Sequence, residues 1–174
     1  QPHKGQIDKI PSLRAAFAQD GTITAANASS ISDGASALIL ASESAVREQG
    51  LTPMAKIVAH ARSSRLPAEF TLAPVDAITA LLNKTGWLAS DVDLWEINEA
   101  FAMVTMLAMR AHGLDHDSVN VHGGACAQGH PIGSTGSRII VTLMHAMHHY
   151  NKQRGIAALC IGGGEATAVA IEKC

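Results

Sequence analysis

From residue 51 onward the chain alternates between short apolar runs and longer stretches of helical period, and glycine closes most of the helical ones. That alternation constrains the fold more than any other feature. A strand, a helix and a further strand return through a right-handed crossover, which lays helices on the faces of a sheet. Residues 57–59 read as a strand and 75–85 as a helix closed by Gly86. Residues 93–97 read as a strand, 99–112 as a largely apolar helix stopped by Gly113, and 119–121 as another strand. The glycine-rich segment 123–136 opens a helix reaching about Tyr150. Two strands then follow, 156–161 and 166–171, joined by Gly162, Gly163 and Gly164. The expected order is βαβαβαββ in an α/β fold, with mostly parallel pairing and an antiparallel last pair.

Ahead of this region the pattern is weaker. Residues 35–41, after Gly34, read as an apolar strand, and 43–49 as a helix stopped by Gly50. Residues 1–24 mix Pro2, Gly5, Pro11 and Gly21 with one short amphipathic stretch around Leu13, Ala16 and Phe17, and they read as a connection without a core of its own. The opening on Gln1, with no initiator methionine, reads as a piece of a longer chain.

Composition narrows the function classes. With 174 residues, 47% hydrophobic and 16% charged, the chain can bury a core without disulfides or metals. Only 3% of residues are aromatic against many Ala and Gly, which suits helices packed closely on a sheet. A net charge of -2 without a basic run argues against nucleic acid as a partner. No apolar stretch reaches the roughly 18 to 20 residues of a membrane span, and the first ten residues hold no signal-like core. Three cysteines, Cys126, Cys160 and Cys174, make an odd count without paired spacing. Free thiols in a reducing compartment, the cytosol by default, are the expectation.

Three segments carry chemistry. In residues 123–138, five glycines and Pro131 fix His130 in a loop ahead of a helix, and Pro131 biases His130 away from helical backbone. The ring can project as a positioned base, although glycines at a helix start also serve packing alone. The glycine spacing does not match a dinucleotide fingerprint or a P-loop, and His122, Cys126 and His130 lack a helical face that would align them as metal ligands. The second segment sets Cys160 at the end of a strand before three glycines. Bare backbone there offers N–H groups to an oxyanion, and the thiol is either an acid–base group or a small buried hydrophobe. In the third, Asn98 and Glu99 interrupt a strand-to-helix junction, where Asn98 reads as a helix N-cap or as the holder of a catalytic water.

Taken together and in this order, Asn98-Glu99-Ala100-Phe101, Gly129-His130-Pro131 and Cys160-Ile161-Gly162 resemble the motifs of the thiolase family. Residues 27–35 also resemble the family segment that begins the last strand and helix of its N-terminal domain. The resemblance implies a layered α-β-α-β-α fold. Residues 1–24 would end the loop domain, 25–50 would end the N-terminal domain, and 51–174 would form the C-terminal βαβαβαββ domain.

It also implies a reversible Claisen condensation of acetyl-CoA, or thiolytic cleavage of a 3-ketoacyl-CoA, through an acyl-cysteine. CoA thioesters would be substrates and no cofactor or metal is implied. His130 resembles the histidine that activates the nucleophilic cysteine and, with a water held by Asn98, polarises the thioester oxygen. Cys160 resembles the second cysteine, which moves the α-proton, and the Gly162 N–H resembles an oxyanion donor. Phe70 stands where many members place a methionine beside the acyl pocket. Ala61 and Ser63 lie in the stretch that meets CoA, where Arg62 is an unusual occupant, and Ala100 and Phe101 resemble residues of the pantetheine channel.

The nucleophile itself belongs to the family's N-terminal half, and neither Cys126 nor Cys174 matches its motif. The expected partners are therefore the missing N-terminal half of the same polypeptide and further copies in a homodimer or tetramer, and the chain alone is expected to be inactive. Two other readings are a noncatalytic fragment or assembly module and a ketoacyl synthase relative. The second thiol and the Asn98 segment argue against the latter. His145, His148 and His149 share helical spacing and read as a solvated face in preference to a metal site.

Overall fold

The computed structural model describes residues 5–174, so the reading of residues 1–4 lies outside the described residues. Residues 51–174 build one four-stranded sheet from β1 (Ala55–Ser64), β2 (Leu94–Ile97), β3 (Arg154–Cys160) and β4 (Glu165–Lys173). The spatial order is β1-β4-β3-β2. Helices α2 (Ala73–Thr85) and α3 (Ala102–His112) cover one face, and α5 (Thr135–His149) covers the other. Two short helices, α1 (Glu43–Glu48) and α4 (Ala125–Gln128), complete the set.

The expected direction of the strands is met, but the expected pairing is not. β2 and β3 pair in parallel, whereas β4 pairs antiparallel with both β1 and β3. The tight hairpin after Cys160 inserts β4 between β1 and β3, so parallel strands lose their shared edge to the one strand that runs against them. The expected strand at 119–121 is reduced to one parallel bridge between Trp95 and Val119. Asn120 adopts a left-handed backbone (φ 49°) and ends the run. Its side chain takes over the pairing: Oδ1 accepts from the Ile97 N–H at 2.8 Å and Nδ2 donates to the Ile97 carbonyl at 2.9 Å. Residues 35–41 form no strand either, for they have no sheet neighbour among the described residues.

Small residues set the layer spacing. Ala166, Ala168 and Ala170 on β4 meet Ala73, Ala77, Ile78 and Leu81 on α2, with Trp95 and Ile97 filling the same core. On the opposite face Leu94, Ala157 and Ile171 pack against Ile139, Leu143, Ala146 and Met147 of α5. A Cβ at Gly155 would fall 2.7 Å from the Met147 sulfur, so α5 lies against bare backbone of β3. Helix ends follow their local signals. Gly86 and Gly113 close α2 and α3 in the left-handed conformation, and each N–H returns to a carbonyl of the last turn.

The segment ahead of the domain acts as a strap. The Asn27 carbonyl accepts from the Ala102 N–H at 2.9 Å, the Ser29 hydroxyl donates to the Ala100 carbonyl at 2.9 Å, and the His130 N–H donates to the Ser30 carbonyl at 2.8 Å. Ser36 continues onto α5 through hydroxyl contacts with Ser134 (2.8 Å) and Ser137 (2.6 Å). No helix among the described residues is long and apolar enough to cross a membrane.

Candidate active site

Both β2 and β3 end at the same rim of the sheet, and the polar residues singled out from sequence gather there. Asn98 follows β2 directly and is almost wholly buried; its backbone N–H donates to the Ala158 carbonyl at 2.9 Å, two residues before Cys160. Its side-chain amide meets His130 Nε2 at 3.3 Å. On the other side of the ring, Nδ1 lies 2.7 Å from the Thr135 hydroxyl, which itself donates to the Pro131 carbonyl at 3.0 Å. With its only proton committed to Pro131, Thr135 accepts from Nδ1–H. The network thus assigns the tautomer whose Nε2 lone pair faces the rim. Burial and the nearby Arg138 guanidinium hold the His130 pKa below the usual imidazole value, so the ring is neutral near pH 7. The Asn98 Oδ1 atom has no protein partner among the described residues.

Local backbone explains why this loop needs its glycines. Gly129 has φ 99°, and a Cβ there would collide with the Ser32 side chain of the strap. A Cβ on Gly124 would run into the Glu99 carboxylate, which accepts from the Cys126 N–H at 3.0 Å and from Asn120 Nδ2 at 3.4 Å. Glu99 is therefore a buttress between the β2–α3 junction and the glycine-rich loop, a role that its place beside Asn98 did not signal. Thr135, Asn120 and Arg138 were likewise not singled out from sequence. Each acts through a partner distant along the chain, and only the invariance of such a pair across relatives would have announced it.

Cys160 is buried at the end of β3, in a cross-strand row with Ala166 of β4 and Ser63 of β1. Among the described residues it makes no hydrogen bond to His130 or Asn98, although all three stand at one rim. Burial raises its thiol pKa to about 11, so a neighbouring dipole or imidazole does not poise it near neutrality, and the group rests as the protonated thiol. Beyond it the chain turns through three glycines. The Ile161 N–H donates to the Glu165 carbonyl (2.7 Å) and the Gly164 N–H to the Ile161 carbonyl (3.0 Å), while the Gly162 and Gly163 N–H groups find no acceptor among the described residues. Gly162 has open space where a side chain would stand. Gly164 (φ 103°) packs on the Arg65 carbonyl, and the Arg65 N–H donates to the Gly164 carbonyl at 2.9 Å. Arg65 is fixed in turn by a two-pronged bond to the Asp76 carboxylate of α2, with Nη2 to Oδ1 at 2.9 Å.

The weaker candidates divide. Phe70 and Phe101 meet edge to face at 6.2 Å, and Phe17 joins Phe101 at 5.8 Å, so an aromatic group stands over the start of α3. Ala100 lies under the strap, its carbonyl bonded to Ser29. Ala61 packs on the α2 face, and the Ser63 hydroxyl donates to the Ala73 carbonyl at 2.6 Å. His122, Cys126 and His130 have separate surroundings. His122 stacks on Tyr150 at 5.5 Å, and burial followed by the Glu99 charge raises the Cys126 thiol to about 12. In the α5 triplet, the His148 Nε2 is bonded to the Met54 carbonyl at 2.9 Å. A cavity of about 510 Å³ opens between residues 32–36 and 131–137, beside the imidazole loop.

Parallel strands that end in polar loops at one rim place the chain among the layered α/β proteins that take ligands at the carboxyl edge of the sheet. Residues 51–173 match the model described as thiolase, C-terminal domain, and residues 2–44 match thiolase, N-terminal domain. The chain belongs to the thiolase family. It is 50% identical over 173 residues to a probable acetyl-CoA acetyltransferase of Dictyostelium discoideum, covering 99% of this chain and 42% of that protein. The crystal structure of the Bacillus anthracis acetyl-CoA acetyltransferase superposes with a TM-score of 0.94 at 41% identity, over 97% of this chain and 43% of that one. Human mitochondrial 3-ketoacyl-CoA thiolase in complex with CoA gives 0.95 at 41% identity, over 98% of this chain and 43% of that one. The chain thus spans under half the length of the relatives it matches.

Proposed function

We propose that this chain supplies the acid–base and oxyanion part of an acyl-CoA acyltransferase of the thiolase type, with acetyl-CoA or a 3-ketoacyl-CoA as substrate. The observation that carries this reading is the Asn98–His130 contact at 3.3 Å, on a rim shared with Cys160 and the unpartnered Gly162 N–H. Support comes from relatives named for acetyl-CoA acetyltransferase activity and from the likeness to a thiolase solved with CoA. In this reading residues 2–44 belong with the N-terminal domain and the loop domain inserted in it, and the nucleophilic cysteine comes from the portion of the polypeptide that this chain does not contain.

A neutral His130 takes the proton of that cysteine, and the resulting thiolate attacks the thioester carbonyl. The C–S bond to CoA breaks, and CoA leaves with the proton of the Cys160 thiol, so that Cys160 becomes the thiolate and His130 remains an imidazolium carrying Nε2–H. In the second half, the Cys160 thiolate takes the α-proton of a bound acetyl-CoA, and the enolate carbon attacks the acyl-cysteine and releases its sulfur, which takes its proton back from the His130 imidazolium. Run backwards, the Cys160 thiol protonates the departing enolate, a task that suits a thiol buried in its protonated form. Enolate charge develops on the thioester oxygen, where His130 Nε2–H and a water on Asn98 donate. The Gly162 N–H faces the oxygen of the acyl-enzyme. No cofactor is needed.

The test is thiolysis of acetoacetyl-CoA by the intact polypeptide. His130→Ala and Cys160→Ala are each expected to lower kcat by about 10²- to 10⁴-fold. Turnover unchanged in both variants would refute the assignment.

A further inference from the structure

A carboxylate and a guanidinium lie behind the imidazole, and nothing in the proposed reaction uses either. Glu96 is 1% exposed in the middle of β2, its Oε2 stands 3.5 Å from Arg138 Nη1 on α5, and its Oε1 has no partner among the described residues. Placing a carboxylate in a strand core is costly unless it is paired, so the site asks what the pair does. Position supplies an answer. Glu96 precedes Asn98 by two residues, so both project toward α5, as Leu94 does. Arg138 follows Thr135 by three residues, one turn along α5. Asn98 and Thr135 are the two groups that hold the His130 ring from opposite sides.

We propose that Glu96 and Arg138 are positioning residues for His130: their ion pair ties the strand that ends on Asn98 to the helix that begins on Thr135, and sets the charge that the imidazole feels. The inference deepens the thiolase reading and rests on it for the reason that the ring must stay an unprotonated base. Its electrostatic part follows from the same geometry. Arg138 opposes protonation of His130, and Glu96 when charged, 3.5 Å from Arg138, offsets part of that positive charge. Glu96 itself is raised to about 7, chiefly by burial and against the pull of Arg138, so its charge changes near neutrality. The other ionisable groups around the ring are Glu99 after β2, Cys126 on α4, Cys160 at the end of β3 and Asp33 on the strap. Glu99 is already engaged with Cys126 and Asn120, and the two thiols stay neutral. Asp33 lines the cavity beside Pro131.

The two halves of the pair make opposite predictions, which a merely structural role does not. The His130 titration is followed by NMR in the intact polypeptide labelled with ¹⁵N-histidine, its signal assigned by loss in His130→Ala. Arg138→Met is expected to raise the imidazole pKa by about one pH unit, and Glu96→Gln to lower it by only a small fraction of that, because a carboxyl of pKa about 7 is largely protonated where the ring titrates. The acidic limb of the pH profile of kcat/KM should move the same way in each variant. Shifts of the same sign, or none in either variant, overturn the proposal. The double variant Glu96→Gln/Arg138→Met buries no charge and is least exposed to misfolding. Its imidazole should titrate above the wild-type value and close to that of Arg138→Met, and a value at or below wild type overturns the proposal as well. The NMR readout does not depend on turnover, so a protein without thiolase activity would sink the functional reading while leaving this one to be decided by its own titration.

Discussion

At the scale of single residues, the three cysteines have three different fates fixed by their surroundings. Reactivity belongs to the thiolate, and burial opposes its formation. Cys160 sits at the end of a core strand with its pKa raised to about 11, and Cys126 is raised to about 12 because desolvation is joined by the Glu99 charge beside it. Cys174 is exposed at the end of the chain. At pH 7.5 a thiol of pKa about 11 is ionised in roughly one molecule in a few thousand. Timed alkylation with iodoacetamide, read by peptide mass spectrometry, should therefore label Cys174 first and leave Cys126 and Cys160 largely unmodified. Labelling of Cys160 as fast as Cys174 would show that its thiol is not held protonated. The same contrast supports keeping Cys126 out of the chemistry: its Sγ is turned toward the Glu99 carbonyl at 3.9 Å, away from the imidazole's partners.

Between residues and fold, the elements show what periodicity reveals and what it hides. Helices α2 and α3 were legible because apolar spacing and a closing glycine coincide, α5 because apolar spacing follows the glycine-rich loop, and β3 and β4 because an apolar run is interrupted by three glycines. β1 was read only in its apolar centre. Its full ten residues include Lys56, His60 and Arg62, polar side chains that an edge strand turns to solvent. The strand expected at 119–121 failed on one asparagine. Val119 and Val121 have strand character, but Asn120 tolerates a left-handed backbone and replaces the ladder with its own amide. Of the site, sequence motifs gave His130, Asn98 and Cys160, whereas Thr135, Glu99 and Arg138 depend on contacts across the fold that no local pattern encodes. Asn120→Ala removes both bonds to Ile97 and puts a Cβ-bearing residue without that amide at φ 49°. The expected cost is about 2–3 kcal/mol, read as a lower denaturant midpoint. Asn120→Gly keeps the backbone conformation and isolates the two hydrogen bonds. A glycine variant as stable as wild type would mean that the amide does not support β2.

Across the whole molecule, one segment turns apolar side chains to solvent in a strand-like alternation. The strap is well anchored through Ser36, whose hydroxyl reaches Ser134 and Ser137, yet the residues after it carry apolar side chains into solvent. Ile39 is 97% exposed and Leu40 75%, with Ile31 at 84% nearby on the same segment. Half-buried Ser36 and Leu38 alternate with exposed Ala37 and Ile39, the two-residue period of extended chain with one face covered. Such a segment has the composition and the alternation of a strand, and lacks only a neighbour to bond with. Unpaired backbone beside apolar side chains is a template for association with another chain. The chain produced by itself is therefore expected to self-associate and to bind a hydrophobic dye such as ANS. Light scattering should show species larger than a monomer at micromolar concentration. Replacing Ile39 and Leu40 by lysine should reduce both signals without touching the rim where His130 and Asn98 meet, because neither side chain has a partner in the core. A monodisperse monomer without dye binding would mean that residues 35–41 are satisfied as they stand. The reading of this segment as one face of an incomplete sheet would then be wrong.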